Sequence, residues 1–348
     1  MPRLDKRWAA LALGFLALVG IWQAWRLSHP EKSITLRGET MGTRYLITAH
    51  GRVGLDEAAL RNMVEARLSE INAALSTWDP GSEISRFNRM PAGTEMTVST
   101  DFRVVLKAAL QLAEESGGAF DPTIGPLVNL WGFGPERGQT TPTEAEITAA
   151  RARVDFRQVR LEGSNLQKDR AEVVLDLSAI AKGYGVDEVA QVVADQGFRN
   201  YLVEIGGEVR AWGMRPDGKP WRVGIENPVP EEERTGRDVV AKVALTKGAL
   251  ATSGSYRRFR QGGGHHIIDP RTGRSTNPHL VSVTVHAPNA MLADGIATAL
   301  MVMGTREGQR WLDAQSGVKA LFIRRNPAGG WEHHLSEGFG NLLIETGE

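Results

Sequence analysis

The sequence predicts an α+β protein with a largely antiparallel sheet flanked by helices. Two observations carry this prediction. Short segments with strand-like alternation follow one another in runs, and amphipathic helical segments occur at several separate points along the chain. With 348 residues, 41% of them hydrophobic, the chain can bury one large core or two adjoining ones. No internal repeat or low-complexity block interrupts the pattern.

The N-terminal segment predicts a membrane anchor. Three basic residues among the first seven precede an apolar run from Trp8 to Trp25 that only Gln23 interrupts. Eighteen helical residues span about 27 Å, close to the hydrocarbon thickness of a bilayer. Basic residues before such a run keep the N-terminus cytoplasmic, and the run lacks small residues where a signal peptidase would cleave. We therefore interpret 1–32 as an uncleaved signal-anchor with a short tether, and 33–348 as the extracytoplasmic domain.

Composition excludes several classes of chemistry. The chain contains no cysteine, which excludes disulfides, iron–sulfur clusters, zinc bound by cysteine and thiol catalysis. Forty-one basic residues balance 41 acidic ones, so nothing supports nucleic-acid binding. The P-loop, the Rossmann fingerprint, the H-E-x-x-H motif and the G-x-S-x-G elbow are absent.

The first half of the chain predicts strand material followed by helices. Ile34 to His50 contains strand-like alternation, and apolar residues between Leu60 and Leu75 recur at spacings of three and four, which indicates an amphipathic helix. A second helix is predicted over Phe102 to Glu115. Glycines, prolines and aromatic residues are dense from Gly117 to Gly138, which favours a structured loop over a regular element.

The second half is richer in strands. A strand over Glu172 to Leu177 is expected to lead through a small-residue turn into a helix that Gly197 ends. Further strands are predicted over Tyr201–Ile205, Glu208–Trp212, Trp221–Glu226, Val239–Leu245 and Leu280–His286. A helix over Ala290 to Met303 follows them.

The helix predicted over 290–303 carries the first candidate metal ligands. Asp294 is the only charged residue between Met291 and Gly304, and Thr298 lies four residues further along the same face. A helix that is apolar on all sides is normally buried, and a buried carboxylate needs a partner or a metal ion. Carboxylate and hydroxyl oxygens are hard ligands that suit magnesium or calcium. The alternative is an ordinary solvated polar face.

The junction between residues 175 and 185 is a candidate phosphate site. Asp176 is placed at a strand end and Lys182 in the turn or the first helical turn. Helix N-termini attract phosphate, and Lys182 would add a positive charge. A strand-to-helix junction with surface charges is the alternative.

Two pairs of adjacent histidines occur near the C-terminal half. His265 and His266 precede an Asp-Pro-Arg-Thr-Gly turn, and neighbouring side chains of a strand point to opposite faces, so one of the two is expected to point inward. His333 and His334 have no catalytic-looking neighbours and are interpreted as surface residues.

A series of short motifs runs in order from about Met41 to Gly304. The motifs are Met41-Gly42-Thr43, Leu75 to Trp78, Ser82 to Asn88, Gly118 to Pro126, Leu130 to Gly134, Asp176 to Asp187, Leu202 to Glu208, Thr252 to Tyr256, His266 to Gly273 and Ala293 to Thr298. Each is weak alone, but together and in this order they resemble the ApbE family, the FAD:protein FMN transferases. The resemblance covers about three-quarters of the chain.

The resemblance implies an ApbE-like fold and three sets of site residues. The FAD site would be lined by Met41, Trp78, Ala119, Phe120, Asp121, Asp176, Lys182 and Ile268. Magnesium would be held by the side chains of Asp294 and Thr298 and by the backbone carbonyl of Ala179. His266 would be the inward histidine, close to the reacting phosphate, and would act as general base. Trp78 stands where relatives often have tyrosine, which keeps a stacking role but loses a hydroxyl hydrogen bond.

The implied reaction is the magnesium-dependent attachment of FMN from FAD to a threonine or serine hydroxyl of a target protein, with release of AMP. The implied partner is a flavin-accepting protein of an extracytoplasmic redox complex. The expected location is the bacterial inner membrane, with the catalytic domain in the periplasm. Two alternatives stay open at this level: a magnesium-dependent FAD pyrophosphatase that yields FMN and AMP, and a non-catalytic FAD-binding assembly factor for a membrane redox complex.

Overall fold

The computed structural model describes residues 11, 13–21, 23, 31–136, 141–229, 238–256 and 264–344. Its strands, in chain order, are β1 (Glu31–Thr40), β2 (Thr43–Arg52), β3 (Met96–Thr97), β4 (Val159–Glu162), β5 (Asn165–Lys168), β6 (Asn200–Ile205), β7 (Glu208–Trp212), β8 (Trp221–Glu226), β9 (Val239–Leu245), β10 (Lys247–Gly254), β11 (Ile268–Asp269), β12 (Arg274–Ser275), β13 (Leu280–Ala287), β14 (Lys319–Arg325) and β15 (Trp331–Leu335).

The α-helices from residue 31 onward are α1 (Glu57–Leu75), α2 (Glu83–Asn88), α3 (Thr100–Glu115), α4 (Gly125–Leu130), α5 (Glu144–Arg151), α6 (Ser178–Asp195) and α7 (Ala290–Leu312). Helix α7 is interrupted at Gly304, whose backbone has a φ of 75°. Short 3-10 helices occur at Phe156–Gln158 and Gly340–Leu342.

The principal sheet has eight strands in the order β1–β2–β6–β7–β10–β13–β14–β15. Its neighbouring strands all pair antiparallel. Smaller sheets are formed by β3–β5–β4, β8–β9 and β11–β12. The predicted α+β architecture with antiparallel sheet is therefore confirmed.

Both faces of the principal sheet are covered, and β14 shows how the sequence achieves this. Ala320 and Phe322 belong to the core formed with α3 and α7, whereas Leu321 and Ile323 belong to a second core that includes Phe339. Successive side chains of a strand point to opposite faces. The four consecutive apolar residues at the centre of β14 therefore fit a sheet that is buried on both sides.

Helices α6 and α7 lie unusually close together. A Cβ atom on Gly183 would stand 2.2 Å from the carbonyl oxygen of Ala290, so only glycine permits this approach. The carboxylate of Asp187 accepts hydrogen bonds from the backbone N–H groups of Ala290 and Met291, each at 2.9 Å. These bonds satisfy amides that a helix N-terminus leaves open, and they fix the start of α7 against α6.

The strands predicted in the second half are present, but other elements differ from prediction. Ile34 to His50 forms the hairpin of β1 and β2, and α4 lies within the stretch predicted as loop. The strand predicted over Glu172 to Leu177 is wrong, because only Val174 forms an isolated bridge. Side chains bond this backbone instead: Leu175 N–H donates to the distant Asn88 at 2.8 Å, and the nearby Lys168 Nζ donates to the Val173 carbonyl at 2.9 Å.

Much of the predicted membrane anchor lies outside the described residues. The described part of it, 11, 13–21 and 23, is helical, and its large apolar side chains, such as Leu11, Phe15 and Ile21, are exposed. Among the helices that the structure describes, none is both long and apolar enough to cross a membrane. The anchor and the division of the chain at residue 32 stay predictions.

Candidate active site

One cleft of about 1410 Å³ contains every residue that the sequence singled out for the site. Its walls include Met41, Trp78, Ala119, Phe120, Asp121, Asp176, Ala179, Lys182, His266, Ile268, Asp294 and Thr298. These residues come from six separate segments of the chain, which the fold brings together at one end of α6 and α7.

Two tight hairpins form one wall of the cleft. Met41 and Gly42 connect β1 to β2 with φ values of 50° and 69°. A two-residue hairpin turn requires positive φ at both positions, which is uncommon for methionine. The second hairpin joins β6 to β7 through Gly206, whose N–H donates to the Arg44 carbonyl at 3.0 Å. A Cβ on Gly206 would lie 2.8 Å from Cγ2 of Thr43, so the two turns are in contact.

The N-terminus of α6 opens into the same cleft. Asp176 Oδ1 accepts a hydrogen bond from the Ser178 N–H at 2.8 Å, and the Asp176 N–H donates to the Pro122 carbonyl at 2.8 Å. Leu177, at the N-cap position, provides no side-chain cap. Asp176 instead bonds the first N–H of α6, and the helix dipole favours negative charge at this end. Lys182 is the fifth residue of the helix and therefore lies just beyond the first helical turn, in which it was predicted.

Three charged side chains meet beside this terminus. Lys182 Nζ lies 2.9 Å from Glu208 Oε1 and 3.5 Å from Asp294 Oδ1, and both carboxylates are almost completely buried. Burial would lower the pKa of Lys182, but the charges of Asp294 and Glu208 outweigh it and hold that pKa above its ordinary value. Burial also raises the pKa of Asp294, against the opposing effect of Lys182. Such perturbed groups in a cleft are typical of functional sites.

The oxygen atoms expected to bind magnesium lie near this charged group. Asp294 is 3% exposed, and its Oδ2 accepts the Gly183 N–H at 3.0 Å. Thr298 Oγ1 lies 3.1 Å from Ser253 Oγ. In a regular helix the Gly183 N–H would bond the Ala179 carbonyl; sharing that donor with Asp294 leaves the carbonyl capacity for another partner.

This donor set fits magnesium. It is made of hard oxygen atoms and includes one carboxylate, and magnesium is commonly bound by one or two carboxylates while it keeps several waters. Within the described ranges, no three histidine or acidic side chains gather as a metal site. A softer metal that needs several imidazole ligands would therefore find no comparable set there.

The two adjacent histidines have different environments. His265 is 4% exposed, with Nε2 3.3 Å from the Thr276 carbonyl, and burial lowers its pKa. His266 is half-buried and lines the cleft, with its ring 6.3 Å from that of Phe133. The pair thus contains one buried and one partly exposed ring, although the two residues precede β11 instead of lying within a strand. His333 is exposed, as predicted.

Trp78 and Asp121, two of the residues expected to line the FAD site, have contrasting surroundings. Trp78 is 56% exposed at the rim of the cleft. Asp121 is buried, and its carboxylate accepts hydrogen bonds from the backbone and hydroxyl of Thr123 at 2.8 and 2.6 Å and from the Phe156 N–H at 3.2 Å. Burial raises the pKa of Asp121. Its carboxylate therefore shapes the loop that lines the cleft.

Glu208 and Ser253 belong to the site but were not predicted. Glu208 directly follows the Gly206-Gly207 pair, which is a strong signal for a two-residue hairpin turn and places the next residue at a strand start. Ser253 lies in no G-x-S-x-G elbow, so the local sequence assigns it no role. Its position in β10 opposite Thr298 depends on contacts 45 residues apart.

Comparisons with known proteins agree with this fold and cleft. The chain matches the ApbE family over residues 41–322 and belongs to that family. The FAD:protein FMN transferase of Vibrio cholerae serotype O1 is 40% identical over 343 residues, which span 97% of this chain and 99% of the relative. The FAD:protein FMN transferase of Haemophilus influenzae is 42% identical over 328 residues, 91% of this chain and 93% of the relative.

Solved structures give the same result. The flavin transferase ApbE from Vibrio cholerae has a TM-score of 0.82 and 42% identity, and the match covers 90% of this chain and 100% of that one. The apo form of the Pseudomonas stutzeri flavinyl transferase ApbE has a TM-score of 0.78 and 36% identity over 90% of this chain and 98% of that one. The implied ApbE-like fold is therefore confirmed.

Proposed function

We propose that this protein is an FAD:protein FMN transferase. The observation that carries the proposal is a single cleft that gathers a buried carboxylate, a hydroxyl, an ammonium, an imidazole and an exposed indole. The relatives named above support it by their activity. At about 1410 Å³ the cleft is larger than most sites for drug-sized ligands, which suits a long dinucleotide.

The proposed role of the cleft walls is to hold FAD with its pyrophosphate near α6. The exposed Trp78 indole would stack on a flat ring of the substrate. The positive end of the α6 dipole and the Lys182 ammonium would balance the pyrophosphate charge. Binding in this way would leave the FMN-side phosphorus open to an acceptor hydroxyl.

In the proposed step, a threonine or serine hydroxyl oxygen of the acceptor forms a bond to the FMN-side phosphorus of FAD. The bond from that phosphorus to the bridging oxygen breaks, and AMP leaves with this oxygen. The hydroxyl proton passes to His266, which lines the cleft and is the residue we assign as general base. The product is a phosphodiester between FMN and the acceptor.

The proposed magnesium ligands are Asp294, Thr298 and the Ala179 carbonyl. When bound there, the ion would neutralise charge on the pyrophosphate and on the leaving AMP. The protein orients these ligands through the Gly183 N–H on Asp294 and the Ser253 hydroxyl on Thr298. Such outer contacts fix ligand geometry and raise metal affinity.

The deciding experiment incubates the protein with FAD, magnesium and a purified flavin-accepting subunit of an extracytoplasmic redox complex. Flavin that stays on the acceptor after denaturation is expected. Free FMN and AMP with an unlabelled acceptor would instead identify a pyrophosphatase, and intact FAD would identify a carrier. His266→Ala is expected to slow transfer by about a hundredfold or more, and His333→Ala, at an exposed position outside the cleft, serves as its matched control.

We also propose that residues 1–32 anchor the protein in the bacterial inner membrane with the domain in the periplasm. The basic residues before the apolar run and the exposed side chains of Leu11, Phe15 and Ile21 support this proposal. Full-length protein is expected in the membrane fraction and, in spheroplasts, is expected to be open to external protease. A variant without residues 1–30 is expected in the soluble fraction. Recovery of the full-length protein in the soluble fraction would contradict the anchor.

A further inference from the structure

Glu208 is a buried carboxylate in the cleft whose bonding is incomplete. It is 2% exposed, and its Oε1 lies 2.9 Å from Lys182 Nζ. Its other oxygen, Oε2, is buried and has no hydrogen-bond partner among the described residues. A buried carboxylate loses its hydration, which is costly unless partners replace the water. A glutamate kept at this position therefore calls for a functional explanation.

The backbone holds Glu208 rigidly, whereas its partner is flexible. Glu208 begins β7, pairs with Ile205 of β6, and follows the turn whose Gly206 N–H is bonded to Arg44. Lys182 carries its ammonium on a four-carbon chain that can reach more than one acceptor. The position of the ammonium is therefore set by where the fixed carboxylates stand.

Two carboxylates compete for this ammonium. The Lys182 nitrogen is 0.6 Å closer to Glu208 than to Asp294, since the two distances are 2.9 and 3.5 Å. An ammonium in full contact with Asp294 would occupy oxygen lone pairs that a cation needs. It would also place a like charge beside that cation, which is unfavourable in a site sheltered from water.

We propose that Glu208 is a positioning residue that draws the Lys182 ammonium away from Asp294 and so keeps Asp294 available for a divalent cation. The proposal rests on the proposed function, because it takes Asp294 as a cation ligand. With Glu208 in place, the ammonium keeps a buried partner when the cation arrives. The Lys182 ammonium then stays against Glu208 while the cation is held at Asp294, and both positive charges can face the substrate pyrophosphate.

The test measures binding of Mn²⁺ to the full-length protein in detergent, without FAD, from the electron paramagnetic resonance signal of free Mn²⁺. Glu208→Asp and Glu208→Gln are made in the wild-type protein and in a Lys182→Met background. Glu204→Gln is the matched control, because Glu204 lies on the same hairpin outside the cleft and accepts the Gly207 N–H at 2.8 Å, a bond that glutamine can keep. Thermal unfolding is followed for each variant.

Both substitutions of Glu208 are expected to weaken Mn²⁺ binding about tenfold, the loss typical of residues that position a metal ligand. In the Lys182→Met background the same substitutions are expected to change the Mn²⁺ affinity by less than about twofold, because the competing ammonium is absent. Glu208→Asp is decisive, since it keeps the charge but shortens the reach to Lys182. It also keeps the test open if Glu208→Gln fails to fold.

Wild-type affinity for Mn²⁺ in Glu208→Asp would overturn the proposal, because the reach of Glu208 to Lys182 would then not matter. An equal loss of Mn²⁺ affinity with and without Lys182 would also overturn it, because Glu208 would then act on the cation through its charge alone. Absence of Mn²⁺ binding by the wild-type protein would instead remove the cation site itself. That failure appears before any variant is compared. It is therefore distinct from a failure of the Glu208 proposal.

Discussion

Helix α6 contributes to two groups of buried or partly buried charges, which differ in how completely their atoms are bonded. On one side, Arg67 contacts both oxygens of Asp101 at 2.7 and 2.5 Å and Glu188 at 2.8 Å, and Tyr184 donates to Asp101 at 2.7 Å. On the other side, Lys182 is shared between Glu208 and Asp294, and Oε2 of Glu208 has no partner among the described residues.

The two groups on this helix serve different purposes, one structural and one functional. The Arg67 group ties α1, α3 and α6 together with its charges paired in close contacts, so it stabilises the fold. In the Lys182 group, Oε2 of Glu208 has no hydrogen-bond partner among the described residues. The group lines the cleft, where a bound ligand can supply the missing contact. In this protein, charged side chains with incomplete hydrogen bonding lie in the candidate active site, whereas fully bonded ones hold the helices together.

The largest expected effect tests the incomplete group. Asp294→Asn keeps an acceptor for the Gly183 N–H but removes the charge proposed to hold magnesium. We expect the transfer rate to fall by about a thousandfold, because such an ion contributes several kcal/mol to transition-state stabilisation. Thermal unfolding is expected to change little, since no scaffold contact is lost. An unchanged rate of flavin attachment would contradict the assignment.

His266→Gln is expected to have the next largest effect on transfer. The loss is expected to be about a hundredfold, the lower range for removal of a general base. The rate of protein-bound flavin formation measures it, and the urea midpoint is expected to stay at the wild-type value. His265→Gln, at the buried neighbour, is expected to show the opposite pattern, with stability reduced more than rate. Equal losses of rate in both variants would remove the distinction between them.

Asp101→Asn tests the completely bonded group. We expect the free energy of unfolding to fall by about 2 kcal/mol, because Arg67 keeps its charge but loses its main partner. Transfer by the folded fraction is expected to be unchanged. Urea denaturation, read beside the transfer assay, checks both statements.

The pH dependence of stability gives a second measure of this pair. Hydrogen bonds from Arg67 hold the pKa of Asp101 below its ordinary value. A depressed pKa adds stability that is complete above the unfolded value, about 4, and is lost as pH falls through the folded pKa. The stability gap between wild type and Asp101→Asn is therefore expected to be constant above pH 5 or so and to close in more acidic solution. A constant gap down to the lowest pH would argue against the ion pair as its source.

Trp78→Ala is expected to have the smallest effect. Because Trp78 is 56% exposed, its removal should leave stability unchanged. Loss of ring stacking is expected to raise the KM for FAD about fivefold to tenfold, as for an aromatic contact of about 1 kcal/mol. Trp78→Phe is expected to restore most of the affinity. An unchanged KM would place the flavin and adenine rings elsewhere.

Local sequence patterns predicted much of the fold, and the reason differs by element. The apolar spacing between Leu60 and Leu75 and the run from Ala290 to Met303 each specify a helix through residues three and four apart. The segment at 172–177 has strand-like residues but forms no strand, because Asn88 and Lys168 supply its backbone partners. Lys168 is a near neighbour in the chain, but Asn88 lies 87 residues from Leu175, and a local window does not contain it.

The candidate site divides in the same way. The ordered motifs were enough to indicate the family and to select residues that all line one cleft. They did not indicate Glu208, whose importance depends on a contact with Lys182 of another element. Strand alternation could not decide which of His265 and His266 faces the cleft, because the pair does not lie in a regular strand.

By itself, the sequence determined the α+β class, the principal helices, most strands and the set of residues at the cleft, because periodicity and short motifs act over a few neighbouring positions. Tertiary structure alone decided how those residues face one another. The approach of Gly183 to Ala290 joins segments more than 100 residues apart, and it places Asp294 beside Lys182. The incomplete bonding of that charged group arises from this packing, since only the folded chain removes water from it.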